Sequence, residues 1–448
     1  MNKMELYYKS PVFMQNIMTT VQGMLYNRER YGKYYKTALN AYCRRDYSDY
    51  DRLVNYQWKR AAELIRYAVA KSPFYKEFYA GIDVDEVIRK RDLTLLPVLG
   101  KEKVRSNINR MYTLGEKEAF ISNTSGTTGT SMQFRWRQDD LQKRMAYLDA
   151  FKIRNGFIPM RMKRASFSSA KVVPPESKNN IFWRDNLSIR QRIYSGYHCR
   201  GENLQYYVKN LNKYKPESLD GYPSAMYELA HYILSNNIEL SFTPIAIFPT
   251  AETLLPHYRE AIEKAFKCPV RDQYASSEGA PFINEFNDGK LHYCMDTGII
   301  EFMEDGRMLV TCFETHGTPL IRYDIGDRAF LSDEKPDGRI AMPIVERIEG
   351  RSADYIESPT NGKFTSIYLS LVSGEFMNCM KAMQFVQNEL NSVDVYLETD
   401  ENYDTSMNKI IEDKLHYSMG PEMIIRIHHV DQIEKDKSGK FRFIIRNI

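Results

Sequence analysis

The chain contains, between two strand-like segments, the run Asn123-Thr124-Ser125-Gly126-Thr127-Thr128-Gly129-Thr130-Ser131, which combines six hydroxyl residues with two glycines. The flanking residues 119–121 and 132–136 are apolar or alternate in polarity, so a strand–loop–strand hairpin is predicted. Glycine allows close backbone approach to a ligand, and the exposed N–H groups of such a turn can hold an anion. The run therefore predicts a phosphate-binding loop. A solvated Ser/Thr/Gly loop is the alternative.

The loop is not a Walker loop, because that motif needs a Lys-Ser/Thr pair after the second glycine and a following helix. Here Gly129 is followed by Thr130-Ser131 and then by strand-like residues. The core 124–129 instead resembles the phosphate loop of acyl-adenylate-forming enzymes, the superfamily of acyl-CoA synthetases, luciferases and nonribosomal peptide adenylation domains. By this resemblance, Thr124, Ser125, Gly126, Thr127, Thr128 and Gly129 are expected to contact the nucleotide.

Length and composition are those of a globular protein with room for a large and a small domain. The chain has 448 residues, of which 43% are hydrophobic and 27% charged. A net charge of only +4 provides no basic field for nucleic acid. Six cysteines lie far apart without a CxxC pair, which predicts free thiols in a reducing compartment. Cys268, His292 and Cys294 could approach one another, but their spacing does not predict a metal site.

No uninterrupted apolar run is long enough to cross a bilayer, and residues 1–31 lack a signal-peptide core. A cytoplasmic location is therefore expected. Peripheral membrane association through the Tyr-, Arg- and Lys-rich residues 25–45 stays open, although no clear amphipathic stripe is visible there.

The order of elements after residue 138 predicts an α/β domain. A helix is expected over 138–151, and the segment 219–224 leads into a helix over 225–236. A buried strand over 244–248, a helix over 257–267 and a short strand over 270–274 follow. In such an arrangement ligands bind beyond the carboxyl ends of the strands.

The two ends of the chain differ from this middle part. Residues 12–80 read mostly as helix, residues 291–345 as β-rich, and the segment after residue 350 as a small α+β unit. The segment 95–102, a Leu-Pro followed by a Lys-Glu pair, resembles the front end of phenylacetate–CoA ligase-like proteins, including the branch named for capsular polysaccharide biosynthesis.

The resemblance implies the fold class. We expect an α/β protein with a large N-terminal adenylate-forming domain of mixed sheets and flanking helices, followed by a small mobile C-terminal α+β domain. The N-terminal ATP- and acyl-binding domain is placed at residues 1–348. The C-terminal domain, with the adenylation lysine, is placed at 349–448.

The segment 273–279, Gln-Tyr-Ala-Ser-Ser-Glu-Gly, resembles the Tyr-Gly-x-Thr/Ser-Glu motif of the superfamily, with Ala275 in place of its glycine. The resemblance implies that Tyr274 stacks on adenine, that Ser277 lies in the nucleotide site and that Glu278 binds Mg²⁺. A carboxylate beside a phosphate loop is repulsive unless a cation lies between them, so the assignment is chemically coherent. Ala251 and Glu252 resemble the strip facing the other side of the adenine.

Three further motifs extend the resemblance to the end of the chain. Residues 322–327 match Tyr-x-x-Gly-Asp, and the two carboxylate oxygens of Asp327 suit the two ribose hydroxyls. Residues 350–354 resemble the hinge motif Gly-Arg-x-Asp-Asp, with Arg351 at the ribose- and phosphate-contacting place and Ala353 instead of the first Asp. Residues 437–440 resemble the C-terminal x-Ser-Gly-Lys motif, whose lysine would be Lys440.

The resemblance implies an enzyme, an adenylate-forming acid ligase. It would activate a carboxylic acid with ATP and Mg²⁺, using Lys440 and Glu278 as catalytic residues. The acyl group would pass to coenzyme A, or to an amine or hydroxyl in polysaccharide modification. Phe167, Ser168 and Tyr222 are candidates for the acyl pocket. The superfamily loop often carries a lysine shortly after its last glycine, and this loop has none there. This absence and Ala353 motivate an alternative, a catalytically silent nucleotide-binding scaffold subunit of a polysaccharide biosynthesis system.

Overall fold

The structure is a computed structural model, and it describes most of the chain. The described residues are 3–123, 132–168, 170–174, 177, 179–196, 198, 199, 201–251, 254, 256–349, 355–365, 368, 369, 372, 379–399, 401, 403–433 and 443–448.

Helices occupy most of the first 111 residues, as the sequence predicts. They are α1 (Lys3–Lys9), α2 (Val12–Arg30), α3 (Lys33–Cys43), α4 (Tyr50–Lys71), α5 (Pro73–Phe78), α6 (Val84–Lys90) and α7 (Lys101–Met111). The Asp49 side chain accepts a hydrogen bond from the Arg52 N–H at the start of α4, and Ser72 does the same for Tyr75 in α5. These caps satisfy N–H groups that the first turn leaves without a partner.

The predicted hairpin is present on both sides of the hydroxyl-rich loop. Strand β1 (Phe120–Asn123) pairs antiparallel with β2 (Gln133–Trp136), from Phe120 opposite Trp136 to Asn123 opposite Gln133. Helix α8 (Gln138–Arg154) follows directly and covers the predicted 138–151.

A largely parallel sheet forms the middle of the protein. Its strands are β3 (Arg164–Ser168), β4 (Trp183–Asn186), β5 (Gln191–Ser195), β6 (Ser218–Gly221) and β7 (Ala246–Pro249). Among the described residues the order is β4-β5-β3-β6-β7, with β4 antiparallel at one edge and the other pairs parallel. Helices α9 (Leu204–Tyr214), α10 (Pro223–Ser235) and α11 (Pro256–Phe266) connect and cover the strands, which confirms the predicted α/β order.

A second, antiparallel sheet follows in the chain. Its strands are β8 (Gln273–Tyr274), β9 (Ile283–Glu285), β10 (Leu291–Tyr293), β11 (Gly298–Phe302), β12 (Arg307–Cys312), β13 (Tyr323–Leu331) and β14 (Ile344–Glu349). The predicted single strand over 270–274 is wrong. Val270 makes only a bridge to Ile247 of the parallel sheet, whereas Gln273 and Tyr274 pair with β9. The chain crosses here from one sheet to the other.

The segment after residue 355 has its own hydrophobic core, which includes Ile356, Phe385, Val395 and Leu415. Its elements are β15 (Tyr355–Ser358), β16 (Gly362–Thr365), β17 (Met380–Glu389), β18 (Ser392–Thr399), α12 (Met407–Met419), β19 (Ile424–His429) and β20 (Ile444–Arg446). This is the expected small α+β unit. Among the described residues, the Tyr417 hydroxyl of this unit lies 2.8 Å from Nδ1 of His231 in the larger part, and the two rings meet edge to face.

Candidate active site

The carboxyl ends of β3, β6 and β7 are tied together by backbone hydrogen bonds. The Phe167 carbonyl accepts from the Tyr222 N–H at 3.1 Å, and the Gly221 carbonyl accepts from the Thr250 N–H at 2.9 Å. Gly221 has φ +131°, and a Cβ at this position would lie 1.9 Å from the Phe167 oxygen. Only glycine fits this close approach of two strands. The next residue after Thr250, Ala251, adopts φ +69°.

The predicted acyl-pocket residues therefore lie at the carboxyl ends of the parallel strands, but different groups of each residue face this region. The Phe167 side chain is fully buried and stacks on Tyr194, with ring centroids 4.9 Å apart. Its carbonyl, rather than its ring, takes part in the contacts at the edge. Ser168 and Tyr222 are partly exposed there, and the Ser168 carbonyl accepts from the Gly196 N–H at 2.9 Å.

Gln273 and Tyr274 of the antiparallel sheet lie beside these carboxyl ends, and Tyr274 also makes a contact within its own sheet. Nε2 of Gln273 donates to the carbonyl of Pro249, the last residue of β7, at 3.3 Å. The neighbouring Tyr274 hydroxyl donates to Oδ2 of Asp327 at 2.8 Å. Burial, together with the nearby Asp327 carboxylate, raises the pKa of Tyr274 well above its usual value, so the phenol keeps its proton and remains a donor. Two residues separated by 53 positions in the chain thus meet, and the nucleotide-binding roles that the motifs imply for them remain predictions.

Asp327 lies on an irregular part of β13. The register between β12 and β13 shifts between Arg307 and Leu309, so the residues of β13 around Gly326 are looped out. Gly326 has φ +84°, and its N–H donates to the Asp324 side chain at 3.1 Å. A bulge of this kind redirects a side chain away from the regular alternation of a strand.

Glu278 is nearly buried, at 3% exposure, and its Oε2 accepts from the Ser277 hydroxyl at 3.1 Å. The following Gly279 has φ +97°, and a Cβ there would lie 2.7 Å from the Trp136 ring. Trp136 ends the hairpin that bears the hydroxyl-rich loop. The Glu278 segment therefore packs directly against the base of that hairpin.

Arg144 of α8 holds the segment after Glu278 in place, a contact that the sequence did not predict. Its buried guanidinium donates to the carbonyls of Gly279 and Ala280 at 2.8 and 3.0 Å, and lies 4.4 Å from the Phe282 ring centre. Burial lowers the pKa of Arg144. An arginine in the middle of an amphipathic helix pattern has no sequence feature that distinguishes it from a surface arginine.

A second feature that the sequence did not predict is a hydroxyl–imidazole pair at the carboxyl end of β5. The Ser195 Oγ and the His198 Nδ1 lie 2.8 Å apart, and the His198 ring stacks on Phe182. Ser195 is opposite Ser168 in the register of β5 and β3. The pair therefore lies next to the predicted acyl-pocket residues.

Several predicted site residues lie outside the described residues: Thr124, Ser125, Gly126, Thr127, Thr128, Gly129, Glu252, Arg351 and Lys440. Their positions remain predictions.

The donor chemistry of Glu278 suits Mg²⁺, which binds through one or two carboxylates together with substrate phosphates rather than in an all-protein cage. In the described part of the chain, no group of three or more His, Cys, Asp or Glu side chains is arranged to hold a metal. The ring nitrogens of His292 lie 2.9 Å from the Met342 carbonyl and 2.8 Å from Asp288. Within the described residues, no helix is both long and apolar enough to cross a bilayer.

Comparison with known proteins identifies the family. Residues 356–447 match the model of the CapK C-terminal domain. The whole chain is 38% identical to protein CapK of Staphylococcus aureus over 450 residues, covering 99% of both chains. The chain belongs to the CapK family. The predicted membership in the adenylate-forming superfamily, close to the capsular polysaccharide branch, is thereby confirmed.

Two more distant comparisons agree with this family. Indoleacetate–lysine synthetase of Pseudomonas savastanoi is 24% identical over 250 residues, which cover 53% of this chain and 60% of that protein. The crystal structure of a 2-hydroxyisobutyryl-CoA ligase in the postadenylation state superposes with a TM-score of 0.58 at 15% identity, covering 90% of this chain and 91% of the other. The predicted fold class is confirmed, and the expected enzyme class, an adenylate-forming ligase, agrees with these relatives.

Proposed function

We propose that the protein uses ATP to convert a carboxylic acid into an acyl-adenylate with release of pyrophosphate. The observation that carries the proposal is the Tyr274–Asp327 contact beside the tied carboxyl ends of β3, β6 and β7. In α/β proteins, ligands bind beyond the carboxyl ends of the parallel strands. The hairpin with the hydroxyl-rich loop packs against the Glu278 segment on the other side.

Each residue has a chemical task in the proposal. Asp327, held by the Tyr274 hydroxyl, accepts hydrogen bonds from the ribose hydroxyls, and the Tyr274 ring lies against the adenine. Ala251 and Glu252 flank the other side of the adenine, and Arg351 contacts ribose or phosphate. Glu278 holds Mg²⁺, which when bound neutralises part of the polyphosphate charge.

In the reaction, a carboxylate oxygen of the acid attacks the α-phosphorus of ATP, and the bond from that phosphorus to the pyrophosphate oxygen breaks. Two anions must approach each other, so catalysis depends on positive charge and alignment. Lys440 and the loop 124–129 supply these in the proposal. We place Lys440 in a mobile C-terminal domain formed by residues 349–448, attached to an N-terminal domain of residues 1–348.

The acceptor of the acyl group is a separate part of the proposal from the adenylation step. One relative is named a CoA ligase and another an indoleacetate–lysine synthetase, so thiol and amine acceptors both occur among similar proteins. We propose acyl transfer to coenzyme A, or to an amine or hydroxyl in polysaccharide modification. Product analysis with aryl, fatty, amino and sugar acids, with and without coenzyme A or an added amine, distinguishes these acceptors.

The test of adenylation is acid-dependent pyrophosphate release by the wild-type protein and by Lys440→Ala. Loss of one preorganised charge partner should lower kcat by about 10²–10³. Lys437→Ala removes a lysine from the same segment and is the matched control, with near wild-type turnover expected. Near-normal turnover of Lys440→Ala refutes the role of Lys440. Nucleotide binding without pyrophosphate release across the acid panel favours the scaffold alternative.

A further inference from the structure

Helix α2 is oriented with its polar side toward the protein and its apolar side toward solvent. Its exposed residues Phe13, Ile17, Val21 and Met24 are 63, 57, 51 and 53% accessible. Their spacing of three and four residues places them on one face of the helix. We call these four residues the α2 face. Surface helices of globular proteins normally bury such a face.

The opposite side of α2 explains this orientation, because it covers the edge strand β4. Asn16 accepts from the Asp185 N–H at 2.9 Å, and Thr20 both donates to the Asp185 carbonyl and accepts from the Leu187 N–H. Edge strands expose backbone donors and acceptors that need partners, and polar side chains of α2 provide them.

Close packing keeps α2 in this orientation. A Cβ on Gly23 would lie 2.4 Å from the Asn186 side chain, so the helix and strand approach as closely as glycine permits. Nε2 of Gln15 donates to the carbonyls of Tyr7 and Ser10 at 3.0 and 2.9 Å, which ties α1 to α2. The α2 face is therefore not exposed through loose attachment of the helix.

Positive charge follows the α2 face at the carboxyl-terminal end of the helix and the start of α3. Residues 1–45 contain eight basic and two acidic residues, whereas the whole chain has a net charge of only +4. Arg28 follows the α2 face at the next helical step, and Arg30, Lys33 and Lys36 are also exposed. A second copy of the chain could cover the apolar residues but would leave the basic rim without a counter-charge. An anionic lipid surface satisfies both the apolar residues and the basic rim.

We propose that the α2 face and its basic rim dock the protein on the surface of an anionic bilayer. Phe13, Ile17, Val21 and Met24 enter the boundary between headgroups and acyl chains, and the arginines and lysines contact lipid phosphates. This is attachment in the plane of the surface and involves no membrane-spanning segment. It does not depend on the proposed adenylation chemistry.

The test is sedimentation of the full-length protein with vesicles of phosphatidylglycerol and phosphatidylcholine in equal parts, and with vesicles of phosphatidylcholine alone. The triple variant Phe13→Ser/Ile17→Ser/Met24→Ser removes much of the apolar area, and we expect its partition coefficient on anionic vesicles to fall more than about tenfold. The variant Arg28→Gln/Lys33→Gln should bind severalfold more weakly, and added salt should weaken wild-type binding.

The matched control is Leu390→Ser/Ile410→Ser, which removes two side chains of similar exposure, 46 and 49%, from the C-terminal part and should bind as the wild type does. Because all the replaced side chains project into solvent, thermal melting should be nearly unchanged, and the charge variant provides a second test if the triple variant misfolds. Absence of vesicle binding, or equal binding by the triple variant, overturns the proposal. So does a wild-type dimer that the triple variant converts to monomer, since a second copy would then cover the face.

Discussion

Removal of the Tyr274 hydroxyl should weaken nucleotide use while leaving the fold intact. In Tyr274→Phe the ring remains, but Asp327 loses a donor 2.8 Å from its Oδ2. A hydrogen bond to a charged group contributes about 1.5–3 kcal/mol. If the whole contribution serves to hold the carboxylate for the ribose, kcat/KM for ATP should fall by roughly 10- to 150-fold. The loss should appear mainly as a higher KM for ATP in pyrophosphate-release kinetics.

A double-mutant cycle tests whether the hydroxyl acts through Asp327. Asp327→Asn alone should cost at least as much as Tyr274→Phe, and the double variant should be little worse than Asp327→Asn, because the two residues share one interaction. Tyr214→Phe is the matched control: its hydroxyl donates to the Arg190 carbonyl at 2.8 Å, away from the carboxyl ends of the strands. Additive effects of the two site substitutions, or an equal loss in Tyr214→Phe, refute the reasoning.

Two further predictions concern the scaffold of the site. Gly221→Ala should destabilise the protein by roughly 3 kcal/mol or more in a denaturant titration, because the new Cβ would overlap the Phe167 carbonyl at a positive φ. The control Gly81→Ala, at φ +82° with open space around it, should cost only about 1 kcal/mol. Similar costs for the two variants would contradict the close approach of Gly221 to Phe167. Burial raises the pKa of Asp272 from 3.8 to about 6, so the contribution of this residue to stability is fully present below pH 3.8 and is lost as the pH rises through about 6. Asp272→Asn should flatten the unfolding free energy across that window, by at most about 3 kcal/mol, and an unchanged pH profile contradicts the assignment.

Sequence reasoning predicted the elements with strong local patterns. The α/β order from β6 to α11 follows from apolar runs alternating with helical spacing, and the hairpin around the hydroxyl-rich loop follows from its alternating flanks. The family motifs implied that Tyr274 and Asp327 share a nucleotide site, whereas their direct hydrogen bond follows from no motif or local pattern.

The missed features depend on tertiary packing. The segment 270–274 has a continuous strand pattern, but the change of sheet between Val270 and Gln273 depends on which neighbours each residue meets. Arg144 contacts the segment after Glu278 only because the fold brings the carbonyls of Gly279 and Ala280 to it. The α2 face escaped notice because the polar side of that helix is the buried one, which reverses the usual expectation from amphipathic patterns.

The most direct test of the central claim is exchange of radiolabelled pyrophosphate into ATP, measured across the acid panel with the wild-type protein and Glu278→Gln. Adenylation is reversible through the bound acyl-adenylate, so exchange should require a suitable acid and Mg²⁺ and should fall by about 10²–10³ in Glu278→Gln. Release of ADP and phosphate in place of exchange, or exchange that is independent of any acid, would contradict the account.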